Sequence, residues 1–151
     1  MASSSNQKLK LLYLLKILLE KTDAQNPMTM AEIISALARH GIQAERKSLY
    51  SDMELLRQFG VDVEMQRSKT VGYYVAERQF ELPELKLLVD AVQSCRFISK
   101  RKSEKLIKKL SSLTSSHQAR QLHRQVFVMD RAKTINETVY YSIDQIHHAI
   151  G

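Results

Sequence analysis

The N-terminal part of the chain repeats its apolar residues with the period of an α-helix. Residues 8–21 carry leucine and isoleucine around nearly the whole circumference, which predicts a first helix that is buried on several sides. The pair Thr29 and Glu32 has the spacing of a capping box and predicts the start of a second helix. Gly41 follows the last apolar position of that helix, so we expect the helix to end there.

A third helix is predicted over residues 44–58, with Gly60 as its stop. At about 100° per residue, its positions separate into an inward and an outward face. The inward face is predicted to carry five apolar residues, namely Leu49, Met53, Leu55, Leu56 and Phe59. The outward face is polar and partly basic, and it carries Lys47, Tyr50, Ser51, Glu54 and Gln58, with Arg46 and Arg57 at its edge.

Asp52 falls among the inward apolar positions of the third helix. Burying an unpaired carboxylate costs several kcal/mol, so this side chain needs a hydrogen bond or an ion pair. We interpret Asp52 as a structural residue that ties the third helix to the first or the second helix. A catalytic role is not indicated, because no second acid, base or nucleophile accompanies it.

After Gly60 the apolar period changes from that of a helix to that of a strand. Residues 61–65 alternate apolar and acidic side chains, a polar turn follows, and apolar residues return over 71–75. This pattern predicts a β-hairpin with Arg67 and Lys69 at its tip. Three helices followed by a hairpin is the order of a winged helix-turn-helix.

The expected fold class is therefore mostly α, with a winged helix-turn-helix (three helices plus a β-hairpin wing) over residues 8–78 and a helical connector over 79–137. The boundary is predicted at 78–82, before a helix that begins at Pro83. Periodicity predicts connector helices at 83–99, 103–113 and from 115 or 116 to 123, and a short β-like segment at 126–129. A last helix is predicted to open at Ser142.

Charge adds a possible class of partner. The 151 residues include 23 Lys and Arg against 16 Asp and Glu, a net charge of +7, which fits polyanions such as nucleic acids. The densest basic run lies in the connector and comprises Arg96, Lys100, Arg101, Lys102, Lys105, Lys108 and Lys109, against the single acid Glu104. Two interpretations stay open for this run: a solvated helix face or an additional surface that contacts phosphates.

The outward face of the third helix is the best candidate for chemistry. A helix can enter the major groove of DNA, where arginine reads guanine and where lysine and hydroxyl groups contact phosphates. The candidate DNA-binding residues are Thr29, Arg46, Lys47, Ser48, Tyr50 and Ser51, with Arg67 and Lys69 at the hairpin tip. The alternative interpretation is a solvated amphipathic face followed by an exposed polar turn.

Other classes of site find no support in the residues. A lone cysteine, Cys95, excludes an internal disulfide and a cysteine-based metal site. His147 and His148 are adjacent and point about 100° apart on a helix, so they cannot easily share one ion. No Gly-rich phosphate loop or hydrolase motif occurs. We therefore expect no metal, no cofactor and no enzymatic activity. The apolar run at 9–19 is too short to span a bilayer, so we expect no membrane association and a cytoplasmic protein.

The segment 44–57, Ala-Glu-Arg-Lys-Ser-Leu-Tyr-Ser-Asp-Met-Glu-Leu-Leu-Arg, resembles the recognition helix of DeoR-like helix-turn-helix regulators. Leu49, Tyr50, Asp52 and Leu56 fit the family pattern directly, while Lys47 and Ser48 stand where the family usually has Arg and Thr. Ser51 departs from the usual Arg, which removes one phosphate contact that the resemblance would otherwise imply.

Two further segments resemble WYL-domain transcriptional regulators. Gly72-Tyr-Tyr and Phe80-Glu-Leu-Pro-Glu-Leu look like the end of the wing and the start of the linker, and 140–150 looks like the helix that opens a WYL domain. The resemblance implies a WYL ligand-sensing domain that starts at residue 138 and is truncated. Its Trp-Tyr-Leu segment is absent, so a small-molecule or nucleic-acid effector is expected only through the missing C-terminal domain.

Together the residues and the resemblance lead us to expect sequence-dependent binding to duplex DNA and regulation of transcription. A homodimer is expected, because one short module buries too little surface for tight operator binding. Two alternatives stay open at this point: a winged-helix module that binds protein, and the regulatory domain of a larger enzyme.

Overall fold

The structure, a computed structural model, describes residues 2–126, 133, 135–136 and 138–150. Over these residues the fold is mostly helical with a small antiparallel sheet, which confirms the expected mostly-α class. The helices are α1 (Ala2–Lys21), α2 (Met30–Ala38), α3 (Arg46–Phe59), α4 (Leu82–Ser94), α5 (Lys100–Ser111), α6 (Ser116–Val126) and α7 (Thr138–Ile150). The strands are β1 (Met28–Thr29), β2 (Val63–Arg67) and β3 (Val71–Val75).

The chain divides into two compact units. The first unit contains α1, α2, α3, the sheet and residues 115–117, and the second contains α4, α5, most of α6, and α7. The predicted boundary at 78–82 and the predicted start of a further domain at 138 stay predictions.

The first unit encloses one apolar core between its three helices and its sheet. Each helix contributes buried residues at helical spacing, namely Leu14, Ile17 and Leu18 from α1, Met30, Ile33, Ala36 and Leu37 from α2, and Leu49, Met53 and Leu56 from α3. Val63, Tyr73 and Val75 cover the core from the sheet. Each fully buried Leu or Ile contributes roughly 1.5–3 kcal/mol relative to an exposed position, so this core is the main source of stability for the unit.

The predicted boundaries of α2 are confirmed by its capping contacts. The Glu32 backbone N–H donates to Thr29 Oγ1 at 3.3 Å, and the Thr29 backbone N–H donates to Glu32 Oε2 at 2.7 Å. After the helix, Gly41 has a φ of +72°, a left-handed conformation that side chains other than glycine rarely adopt. The buried Ile42 follows and donates its N–H to Leu37 O at 3.1 Å, which closes the turn.

The predicted hairpin is confirmed and gains a third strand. β2 pairs with β3 from Val63↔Val75 to Arg67↔Val71, and β1 pairs with the other edge of β3. β1 was not predicted, because two residues are too few to show an alternating pattern. A Cβ added at Gly72 would lie 2.7 Å from Pro27 Cβ, so glycine is required where the chain before β1 passes β3.

The turn after α1 is fixed by a buried carboxylate. Asp23 Oδ1 accepts from the backbone N–H groups of Gln25 at 3.0 Å and Asn26 at 2.9 Å, and the Ser115 hydroxyl donates to Oδ2. Burial alone would raise the pKa of Asp23, but these hydrogen bonds stabilise the charged form and hold the pKa below its usual value. The carboxylate therefore stays ionised and anchors the turn.

The second unit has a smaller apolar core, formed by Leu85, Val89, Ile107 and Leu122. Beside this core, Lys133 caps the C-terminal end of α4. Its ammonium group donates to the carbonyl oxygens of Val92 at 2.9 Å and Cys95 at 3.1 Å and to Ser103 Oγ at 2.8 Å. These contacts satisfy carbonyl groups that the end of a helix leaves without a partner.

Several predicted helix limits were wrong. α1 begins at Ala2 rather than at residue 8, and α4 ends at Ser94 rather than at 99. α5 begins at Lys100 rather than at 103, because Ser99 caps it and accepts from the Lys102 N–H at 3.2 Å.

The last two predicted segments also differ. α7 begins at Thr138, whose N–H donates to Asn136 Oδ1 at 2.9 Å. Ser142 lies inside this helix instead of opening it, and its hydroxyl donates to Thr138 O at 3.1 Å. The predicted β-like segment was wrong at Val126, which ends α6, and its other residues lie outside the described part of the chain.

Two residues of α3 that were predicted to face inward are exposed. Leu55 is 50% exposed and Phe59 is 79% exposed, whereas Leu49, Met53 and Leu56 are buried. The buried face of α3 is narrower than the apolar pattern suggested, because it is centred on Leu49 and Leu56 and nothing in the described structure covers its edge. Hydropathy alone does not show where the neighbouring elements end.

Candidate nucleic-acid interface

One flank of α3 is attached to α1 by an ion pair. The Lys10 ammonium lies 2.8 Å from Asp52 Oδ2, and the two side chains are only 10% and 13% exposed. This confirms the interpretation of Asp52 as a residue that ties α3 to a neighbouring helix. The removal of two charges from water is costly, so the pair requires both partners in place.

The same lysine engages one of the candidate DNA-binding residues. Lys10 donates a hydrogen bond to Ser48 Oγ, and Ser48 is only partly exposed. Its hydroxyl is therefore used to hold α3 against α1. Lys10 was not among the predicted site residues, because it lies in the mostly apolar run of α1. The signal was present in Asp52, whose inward position requires a cation.

The other flank of α3 is attached to the sheet. The rings of Tyr50 and Tyr73 meet edge to face with centroids 6.3 Å apart, and Arg57 Nε donates to Val63 O at 2.8 Å. Arg57 also pairs with Glu54 at 3.0 Å. Burial raises the pKa of Tyr73, and a hydrogen bond between the Tyr50 and Tyr73 hydroxyls raises it further. Tyr73 therefore stays neutral, and the contact of the two rings holds α3 against β3.

Between the two flanks, α3 presents a polar strip to solvent. At about 100° per residue, the positions opposite the buried Leu49 and Leu56 carry four exposed side chains. We call Lys47, Ser51, Glu54 and Gln58 the outward strip. Its members offer an ammonium, a hydroxyl, a carboxylate and an amide, so the strip can donate and accept hydrogen bonds in different directions.

The N-terminal end of α3 carries charges that are unfavourable for a helix N-terminus. Its first turn contains no acidic residue and begins with the exposed cations Arg46 and Lys47, although the positive end of the helix dipole disfavours cations there. The residue before it, Glu45, makes no side-chain hydrogen bond to the first turn. N–H groups without a side-chain cap and two cations together favour an anion at this end of the helix.

The remaining candidates lie elsewhere on the first unit. The Thr29 hydroxyl is used in the capping box of α2, where it also donates to Glu32 Oε2 at 2.8 Å. Arg67 and Lys69 are exposed at the end of the hairpin. Arg67 ends β2, about 13 Å along the strand from Val63, the residue that contacts α3. The structure thus separates the hairpin tip from the outward strip and places both on the surface.

Neither a metal site nor a membrane span emerges from the described residues. None of their histidine, cysteine, aspartate and glutamate side chains form a group of three or more that could hold a metal ion. No described helix has the length and apolar character that crossing a bilayer requires. No protein-family model matches the chain, and searches of curated proteins and of solved structures give no match either.

Proposed function

We propose that the first unit is a winged helix-turn-helix that binds duplex DNA and that the protein regulates transcription. In this proposal α2 and α3 form the helix-turn-helix, and the hairpin of β2 and β3 is the wing. The order of elements, the short turn at Gly41 and the third strand beside the hairpin support this arrangement.

The observation that carries the proposal is the surface of α3. Arg46 and Lys47 occupy an end of the helix that favours anions, and the outward strip continues from there with mixed hydrogen-bonding groups. The 14 residues of α3 span about 21 Å, and a helix of this kind fits the major groove, which is about 12 Å wide.

The proposed contacts follow from the chemistry of each side chain. Arg46 and Lys47 bind phosphates or the guanine edge, and Ser51 binds a phosphate or a base edge from the outward strip. Arg67 and Lys69 on the wing contact the backbone or the minor groove. Thr29 and Ser48 contribute less, because their hydroxyls are already engaged within the protein.

The test is fluorescence anisotropy of a random-sequence duplex pool at two salt concentrations. We expect tight binding that weakens steeply with salt, and Arg46→Ala/Lys47→Ala weakens it at least about tenfold, with a salt slope reduced by about 2. The matched control is Lys8→Ala/Lys16→Ala, which removes the same charge from exposed positions on α1. Absence of DNA binding at low salt, or equal losses in both double variants, would contradict the proposal.

A second candidate function rests on the exposed apolar residues of α3. Leu55 and Phe59 lie four residues apart on the same edge of the helix, and an apolar pair of this kind is typical of a helix that binds another protein. In this alternative the winged helix binds protein. DNA binding that stays unchanged in Arg46→Ala/Lys47→Ala, together with loss of a partner complex in Leu55→Ser/Phe59→Ser, would favour it.

We further propose that two copies of the chain act on one DNA site, since a single small module makes few base contacts. Light scattering at high protein concentration tests this part. A monomer with and without DNA would remove the dimer but leave the DNA contacts of α3 in place.

A further inference from the structure

The outward face of α5 in the second unit is occupied by cations. The buried residues Ser103, Ile107 and Ser111 define its inward face. At about 100° per residue, the opposite arc of the helix carries five basic side chains and no acidic one. We call Arg101, Lys102, Lys105, Lys108 and Lys109 the basic arc. The one acid of the helix, Glu104, lies at the edge of this arc.

Most of this charge lacks an acidic partner among the residues that the structure describes. Within the described part of the chain, Arg101, Lys105, Lys108 and Lys109 form no ion pair with a carboxylate. Like charges three and four residues apart repel each other and destabilise a helix by a few tenths of a kcal/mol per pair. The attraction between these cations and a bound polyanion would offset their mutual repulsion, so the charge pattern favours such a ligand.

The shape of the surface fits the same kind of ligand. A shallow hollow of about 510 Å³ is lined by Lys102, Lys105, Leu106, Lys108, Lys109 and Ser112. Four lysine side chains therefore border one depression, and the Ser112 hydroxyl beside them donates to Lys109 O at 2.6 Å within the protein. Lys102 is held at the border, because its ammonium lies 3.2 Å from the Tyr141 hydroxyl.

We infer that the basic arc of α5 binds the phosphate backbone of duplex DNA without reading its sequence. This inference rests on the proposed function, and it assigns to α5 an additional, sequence-independent part of the affinity, while α3 contacts phosphates and discriminates between sequences. From Arg101 to Lys109 the helix rises about 12 Å, a length over which duplex DNA carries about seven phosphate charges. Lysines are suited to this task, because they act as point charges without the planar fork of arginine.

The residue types on α5 favour a duplex over two other polyanionic partners. No large apolar residue of α5 is exposed, whereas helices that insert into an anionic membrane surface carry such residues. The five side chains of the basic arc include no aromatic ring. The neighbouring Tyr141 ring, 5.0 Å from Lys102 Nζ, is a single aromatic surface, whereas proteins that bind single strands stack successive bases on several rings. What remains is attraction between regularly spaced cations and regularly spaced phosphates.

The test compares two triple variants of the full chain in which cations become neutral residues of good helix propensity. Lys105→Gln/Lys108→Gln/Lys109→Gln changes the basic arc. Lys86→Gln/Arg120→Gln/Arg124→Gln removes the same charge from α4 and α6 of the same unit. Binding is measured by anisotropy against a random duplex and against a duplex selected with the unchanged protein. Thermal melts verify that both variants stay folded.

The basic-arc variant is expected to lower the slope of log K against log salt by about 2–3, since each lost phosphate contact removes about 0.9. It weakens both duplexes by the same factor, about tenfold or more, so the ratio between them does not change. The control variant changes the slope by less than about 1. An unchanged slope in the basic-arc variant, or an equal loss in the control, overturns the inference.

The outcomes also separate this inference from the proposed function. If only Arg46→Ala/Lys47→Ala loses binding, the inference about α5 fails and the proposed function stands. If only the basic-arc variant loses binding, the proposed role of α3 fails and the inference stands. Loss of binding to phosphatidylserine vesicles with no change on DNA assigns the arc to a membrane and overturns the inference.

Discussion

α3 and α5 are two cationic helices of similar length with very different surroundings. α3 is attached on one flank by the Lys10–Asp52 ion pair and on the other by Tyr73 and the Val63 carbonyl oxygen. Its outward strip presents four different functional groups. The basic arc of α5 presents five cations, four of which are lysine. Fixed, varied groups suit the reading of a sequence, whereas dense charge suits binding to any phosphate backbone.

Under the proposed function, net charge alone does not locate the helix that discriminates between DNA sequences. By charge alone α5 would be the better DNA-binding helix, since it carries six cations and one acid. α3 carries Arg46, Lys47 and Arg57 against three acids within and before it. Its orientation is fixed by the pair of Asp52 with Lys10 on one side and by the Arg57–Val63 hydrogen bond on the other. Discrimination between bases depends on that fixed orientation.

The largest effect is expected from Asp52→Ala, which breaks the anchor of α3. The variant leaves the Lys10 ammonium buried without its carboxylate, and removal of one partner of a buried pair costs about 3 kcal/mol. Urea denaturation followed by circular dichroism measures this loss. Lys105→Gln, on the exposed arc of α5, is the matched change and is expected to alter the unfolding free energy by less than about 0.5 kcal/mol.

The double variant Lys10→Met/Asp52→Leu makes this prediction sharper. It replaces the ion pair with apolar side chains of similar size and is expected to recover most of the lost stability. A single variant Asp52→Ala that is as stable as the unchanged protein would show that α3 is not held by this pair, and the contrast with α5 would then disappear.

An intermediate effect is expected from exchanging lysine for arginine on the two helices. Lys47→Arg adds a planar fork at the end of α3 and is expected to change the preferred base sequence, with about tenfold changes in relative affinity. Lys105→Arg/Lys108→Arg/Lys109→Arg keeps the charge of α5 and is expected to leave affinity within about twofold. Selection from a random duplex pool followed by sequencing measures both. A changed preference in the α5 variant would contradict the division of roles.

The smallest effect is expected from Tyr50→Phe. The Tyr50 hydroxyl is hydrogen-bonded to the Tyr73 hydroxyl. Its removal is therefore expected to lower the free energy of unfolding by about 0.5 kcal/mol and to change DNA affinity by less than about threefold. The pKa of Tyr73 is expected to fall but to stay above its usual value, because burial, the larger cause, remains. Titration of labelled tyrosine followed by NMR checks this. A tenfold loss of affinity would instead place the hydroxyl on a phosphate.

Much of the first unit could be predicted from local patterns. The capping box at Thr29, the glycine stops at Gly41 and Gly60 and the hairpin register each depend on residues that are close in sequence. Helix limits in the second unit were less accurate. α5 starts three residues before its predicted start, because Ser99 caps the helix and accepts from the Lys102 N–H.

The sequence predicts which types of residue α3 exposes at the candidate site, but not which of its side chains bond to other elements. The exposed positions of Arg46, Lys47 and Ser51 follow from the period of the helix. The engagement of Ser48 by Lys10 could not be predicted, since the two residues are 38 positions apart. Periodicity shows which face of a helix is polar, but it does not show which polar groups meet another element.

The sequence by itself determined that three helices and a hairpin form in the first unit and which α3 side chains are charged, because period, caps and turns are local properties. Only the tertiary structure decided that Lys10 pairs with Asp52 and that Phe59 stays exposed. It also left four cations of α5 without a carboxylate partner among the described residues, namely Arg101, Lys105, Lys108 and Lys109. The physical reason is that burial and ion pairing depend on which distant elements meet.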